Sequence, residues 1–182
     1  MNRFLPIVIL LGVIWAVEVV NIVLGHGLAS WGILPRTASG LIGIPLAPFL
    51  HGGIAHAVSN TVPLAILGGL ALMAGQSRFW EGTFLIVVIS GALVWAFARG
   101  AYHIGASGLV FGYFGILLGR AVFERGLLSF ALAAVTVALY GGIVWGVLPS
   151  RAHISFEAHL FGLIAGVLVA WLERRFGDTR PS

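Results

Sequence analysis

The chain has no cysteine, no lysine and a single aspartate, and charged residues of every kind make up only 9% of its 182 positions. Each shortage closes a class of function. Without cysteine there is no disulfide, no thiol nucleophile and no thiolate metal ligand. The lone aspartate, Asp178, stands far from every other candidate group in the sequence. Neither a Ser-His-Asp triad nor the paired membrane aspartates of an aspartyl protease can be assembled from it. A His-Glu-x-x-His zinc motif is also missing, so no metal or other cofactor is expected. The net charge of +4 is carried by arginine alone. No basic, aromatic-lined stretch accompanies it, and nucleic acid is not a partner.

What the chain has in abundance is apolar sequence, 59% of its residues, with a mean hydropathy of +1.05. The apolar residues fall into six blocks, 4–24, 50–74, 79–98, 107–123, 127–148 and 157–172. Each is about the 20 residues needed to cross a hydrocarbon core. The fold class is therefore all-α, a polytopic membrane protein built as a six-transmembrane-helix bundle, with residues 1–182 forming one membrane-embedded domain. The first block reads as a retained helix, since its apolar run is long for a signal peptide and contains Glu18. With the N-terminus in the cytoplasm, Arg3, Arg78, Arg120, Arg125, Arg174, Arg175 and Arg180 lie inside, and only Arg36, Arg99 and Arg151 lie outside. That bias sets the expected orientation, with both termini cytoplasmic.

Residues 25–49 make one long, Gly- and Pro-rich connection that is still hydrophobic, with Trp31 expected at headgroup level. The other loops are short, so neighbouring spans run antiparallel. The fourth block has small-residue pairs at Gly108/Gly112 and Gly115/Gly119, and the sixth at Gly162/Gly166. Such spacing lets helices approach closely in lipid, and these two helices are expected to touch.

Depth then groups the polar residues. In this orientation the second, fourth and sixth spans begin at the outer face. His51, His56 and Asn60 fall in the first third of the second, Ser107 opens the fourth, and His159 lies in the first turn of the sixth. His56 and Asn60, four apart, share a helix face. Together with the free N–H of Ser107 they can surround one point as an oxyanion hole. His159 can take the Ser107 hydroxyl proton. Glu157 points away from it on the helix and cannot orient it. His26, His103 and His153 read as solvated or capping histidines at loop ends, Glu18 as hydrogen-bonded within the bundle, and Arg174-Arg175 as an anchor at the inner surface.

These residues carry a resemblance. His51-Gly-Gly-Ile-Ala-His56-Ala-Val-Ser-Asn60, Gly105-Ala-Ser107-Gly108 and Ala158-His159-Leu-Phe-Gly162-Leu-Ile-Ala-Gly166 resemble, in order, the motifs of the rhomboid family of intramembrane serine proteases in its minimal six-helix bacterial form. The resemblance implies a serine endopeptidase of the bacterial inner membrane, open to the outside, that cuts single-span transmembrane proteins. It implies Ser107 as nucleophile and His159 as base. Asn60 and His56 would serve the oxyanion, and His51 would have a more structural part. Helix five, with Gly141-Gly142, is a candidate for lateral entry, and which helix gates substrate is not legible.

Two positions depart from the family pattern. The Trp-Arg pair of the first loop is split here into Trp31 and Arg36, which leaves that loop's anchoring open. Phe111 stands where tyrosine is common, so a ring can stack on His159 without a hydroxyl. The rival readings are a non-catalytic rhomboid-like protein that binds membrane helices and a small histidine-relay transporter. Substrate identity and oligomeric state are not legible.

Overall fold

The computed structural model describes residues 3–149 and 155–177; Arg151, His153, Asp178 and Arg180 lie outside them. Among the described residues, six helices are long and apolar enough to cross a membrane. They are α1 (Leu5–Val23), α2 (Ile54–Ala71, drawn out by a tighter turn to Ala74), α3 (Gln76–Phe97), α4 (Ser107–Glu124), α5 (Leu127–Tyr140, continued by a 3-10 stretch to Val147) and α6 (Phe156–Gly177). No strand occurs among the described residues, only an isolated bridge between Ile33 and His103.

Three boundaries differ from expectation, each for a local reason. The second span begins at Ile54 because Gly53 turns the chain with φ +125°. His51 therefore stands in the connection ahead of α2, not in its first third. The helical hydrogen bonding of the fifth span tightens where Gly141-Gly142 begins. The sixth span runs past 172 to Gly177, and that added turn contains Glu173, which is claimed by two arginines.

The core sits around α4, in which every residue from Leu109 to Leu117 is buried. A helix enclosed by its neighbours on all sides must present small residues to some of them. A Cβ on Gly162 would run into the Gly108 carbonyl, and one on Gly166 into the Gly112 carbonyl. The matched spacing, 108 with 162 and 112 with 166, means that α4 and α6 run parallel. Their N-terminal ends, with Ser107 and His159, lie side by side. Tight backbone packing of this kind holds helices together in lipid, where apolar burial alone does not distinguish protein from solvent. Polar pairs between helices add direction: Trp15 Nε1 donates to Thr61 Oγ1 at 3.1 Å between α1 and α2, and the buried Thr83 and Tyr113 hydroxyls bond at 2.7 Å between α3 and α4.

The end of the bundle opposite Ser107 is closed by charge. Arg120 holds Glu173 with two hydrogen bonds of 2.8 Å and donates to the Ala71 carbonyl at 3.1 Å. Arg78 bonds both Glu173 and Glu124, and Ser129 donates to Glu124. Read from sequence, Arg78 and Arg120 are topology markers. In the fold they are the centre of a cluster joining α2, α3, α4, α5 and α6, with Arg120 only 4% exposed.

The long first loop folds into short helical turns between Gly27 and Phe49. Its anchor is Arg36. That residue, at φ +58°, donates to the Ala96 and Ala98 carbonyls at 3.3 and 2.7 Å, where the end of α3 leaves them without helical partners. Trp95 Nε1 returns a bond to the Thr37 carbonyl at 2.8 Å. A tryptophan and an arginine do fasten this loop, but the tryptophan comes from α3. Trp31 is 53% exposed and takes no part in that fastening.

Candidate active site

Ser107 is the first residue of α4, and no side chain caps that helix. Its opening N–H groups are left without helical acceptors, which makes the helix start a ready site for negative charge. The turn leading into it is held from three sides. Gly105 N–H bonds the Ala47 carbonyl at 2.8 Å, and Ile33 and His103 exchange backbone bonds of 3.0 and 2.9 Å. Ala106 N–H donates to His51 Nε2 at 3.3 Å. Gly105 itself sits at φ +113°, and a Cβ there would lie 2.7 Å from His56 Nε2. Only glycine fits, both for backbone conformation and for the imidazole beside it.

The hydrogen-bond partners assign a tautomer to each neutral imidazole. His159 Nδ1 lies 2.8 Å from the Gly146 carbonyl. A carbonyl can only accept, so Nδ1 bears the hydrogen and Nε2 keeps its lone pair. The same ring stacks on Phe111, at 4.3 Å between centroids and 7° between planes, and Phe111 is one turn from Ser107. His56 has the opposite arrangement. Gly52 N–H donates to its Nδ1 at 3.3 Å, so Nε2 bears the hydrogen, next to Gly105. Asn60 Nδ2 donates to the His56 carbonyl at 3.0 Å and also faces Gly105, 3.8 Å from where its Cβ would be. The His56 and Asn60 donors thus converge just ahead of Ser107. His51, wholly buried, accepts from Ala106 and so keeps its hydrogen on Nδ1. Burial pushes its pKa down to about 4; nearby His56 adds to the fall and the Phe49 carbonyl opposes it.

Two features escaped sequence reasoning. The group that orients His159 is a backbone carbonyl, that of Gly146, and carbonyls carry no side-chain signal. His103, expected at a solvated loop end, is 3% exposed. Its Nε2–H donates to the Arg99 carbonyl at 3.0 Å, and its Nδ1 pairs with Ser155 Oγ at 2.6 Å. Ser155 in turn accepts from Ala158 N–H at 3.2 Å at the start of α6. Burial pushes the His103 pKa down as well, with the Arg99 carbonyl and Glu157 opposing. Glu157 pairs with Arg99 at 3.4 Å. No cluster of potential metal ligands occurs among the described residues. A cavity of about 30 Å³ lies behind the serine turn, between the first loop, α3 and α4, with Ser90 and His103 among its polar walls.

Comparison with known proteins agrees with this architecture. The Rhomboid domain family model matches residues 38–176. An uncharacterized protein of Mycobacterium tuberculosis is 36% identical over 168 residues, covering 87% of this chain and 70% of its own length. YdcA of Bacillus subtilis, whose name carries its rhomboid protease assignment only provisionally, is 30% identical over 143 residues, covering 70% and 67%. Rhomboid-like protein 11 of Arabidopsis thaliana is 30% identical over 150 residues, covering 71% of this chain and 51% of its own. With the family model spanning five of the six helices and the long first loop resting against them, the chain belongs to the rhomboid family of membrane proteins.

Proposed function

We propose that the chain is an intramembrane serine endopeptidase. One observation supports this above the others: the His159 ring, clamped between Phe111 and the Gly146 carbonyl, has its Nε2 lone pair free at the end of the α4–α6 seam where Ser107 begins its helix. A general base needs that protonation state and that restraint. In the proposed reaction His159 Nε2 takes the Ser107 Oγ proton as Oγ attacks a substrate carbonyl carbon. The oxyanion is met by His56 Nε2–H, the Asn60 amide and the Ser107 N–H. The imidazolium passes its proton to the departing amine, and the acyl-enzyme is released by water that His159 deprotonates. The Gly146 carbonyl holds the imidazolium's Nδ1–H throughout, in the place an aspartate takes in a triad.

Substrates in this reading are single-span membrane proteins whose helix unwinds locally, because an intact helix hides its carbonyls. The arginine bias puts the termini in the cytoplasm and the site toward the outside of a bacterial inner membrane. Purified protein in liposomes, given a panel of transmembrane reporters with cuts mapped by mass spectrometry, tests the reading. Cleavage is expected for the wild type and for neither Ser107→Ala nor His159→Ala. A fluorophosphonate probe should label Ser107, and the label should vanish in His159→Ala. Normal cleavage by Ser107→Ala ends the proposal.

A further inference from the structure

Ser107 and His159 are each preceded, four residues earlier, by a polar residue outside the helices: His103 ahead of Ser107 and Ser155 ahead of His159. These two bond each other. His103 Nε2–H is committed to the Arg99 carbonyl at 3.0 Å, which leaves Nδ1 as an acceptor for the Ser155 hydroxyl at 2.6 Å. The Ser155 oxygen also accepts Ala158 N–H at 3.2 Å, so it caps α6, and the Ser155 carbonyl accepts His159 N–H at 3.3 Å. Ser155 thus holds the first turn of the helix that bears His159 through two bonds. On the other side, the His103 backbone is pinned by its exchange with Ile33, in the segment that runs directly into Ser107. Arg99 fastens the same two segments again: its Nε pairs with Glu157 at 3.4 Å, and its guanidinium lies 5.7 Å from the Phe156 ring centroid. The close glycine contacts of the α4–α6 seam begin at Gly108 and Gly162, after Ser107 and His159 in each helix. The His103–Ser155 bond ties the chain before them.

We propose that His103 and Ser155 are positioning residues of the site: their hydrogen bond locks the first turn of α6 to the turn ahead of Ser107, and so sets where the His159 ring stands relative to the Ser107 hydroxyl. Neither touches substrate in this account. With the bond lost, the Ser155 hydroxyl is free to rotate away from its capping position, and the start of α6 is restrained chiefly from the seam side. A misplacement of about 1 Å between reacting groups can lower a rate about 10²-fold. The kinetic part of this inference rests on the hydrolase reading, whereas the placement of His159 does not.

The test uses the full chain in lipid nanodiscs, well below the unfolding temperature of each variant. In reporter cleavage, His103→Leu and Ser155→Ala should each lower kcat about tenfold to a hundredfold at unchanged KM. Ser155→Thr, which keeps a capping hydroxyl, should recover most of the loss. Fluorophosphonate labelling of Ser107 should reach the wild-type end point at a correspondingly lower rate, whereas an unfolded fraction would lower the end point instead. The double variant should be no slower than the slower single one, because each change breaks the same bond. With ¹⁵N-histidine, the imidazole nitrogen signals of His159, assigned by their loss in His159→Asn, should shift or split in His103→Leu and return in Ser155→Thr. Unmoved His159 signals in His103→Leu overturn the proposal, and so do losses that multiply in the double variant. Should His103→Leu fail to fold, Ser155→Ala, which removes one hydroxyl from a half-buried position, decides by the same readouts. If the wild type neither cleaves nor takes the fluorophosphonate, the hydrolase reading falls while the His159 signals still decide the role of the bond.

Discussion

At the scale of single residues, the site depends on which imidazole nitrogen holds a hydrogen. His51, His56 and His159 each have one nitrogen committed to a backbone group, which leaves an Nε2 lone pair on His51 and His159 and an Nε2–H on His56. If the Asn60 amide supports the oxyanion, Asn60→Ala should reduce turnover on the order of 10²-fold or more, read as kcat on a reconstituted reporter. Wild-type turnover would remove Asn60 from that role. Acid should act on the fold through the two loop histidines. His51 and His103 are both neutral in the native state, with pKa values pushed below the ordinary 6.5. Lowered native values mean that the unfolded chain takes up protons first, so stability declines as pH drops below about 6.5 and continues to decline toward about 4. The unfolding temperature in detergent should fall across that window, and His103→Asn should shrink the fall. A flat profile between those pH values contradicts the assignment.

Among the elements, the α4–α6 seam governs the site, because it sets how close the ends bearing Ser107 and His159 approach. Its glycines were readable in the sequence as small-residue spacing, and so was the contact between the two helices. Which glycine meets which carbonyl was not, since that depends on the axial offset of two helices 50 residues apart. Gly162→Leu should force the seam open at the Gly108 carbonyl, abolish fluorophosphonate labelling and lower the unfolding temperature. Gly69→Leu, on a helix face with no neighbour within 4 Å of an added Cβ, serves as the control that should change neither. The loop elements were less legible. The anchoring left open by the split Trp31 and Arg36 is supplied by Trp95 from another helix, a partner 59 positions beyond Arg36.

For the whole molecule, polarity is divided between the two ends. The end bearing Ser107 gathers histidines and free backbone donors; the opposite end gathers an ion cluster that joins five spans. Removing one member of a buried ion pair leaves a charge without a partner, at a cost of about 3–5 kcal/mol. Arg120→Met should therefore lower the unfolding temperature sharply by strain on Glu173, and Arg120→Met with Glu173→Leu should recover much of the loss. A double variant as unstable as the single one would argue that the cluster's attraction, and not the orphaned charge, sets the cost. Positive-inside counting treated Arg78 and Arg120 as signs of topology. It could not separate a surface arginine from a buried one, since both appear alike in a short loop or helix end.

The sequence alone determined that this is a six-span membrane protein, which way its charge bias points, and which few polar residues gather at one end of the bundle. Apolar length, arginine counts and motif order are local properties, written in consecutive residues. Only the tertiary structure decided that His51 stands outside its helix, that a carbonyl from Gly146 orients His159, that His103 is buried, and that Glu173 bridges Arg78 and Arg120. All but the first are contacts between distant positions, 13 residues apart for His159 and Gly146 and 95 for Arg78 and Glu173. Such pairings depend on the offsets and rotations of packed helices, and those follow from the whole set of contacts at once.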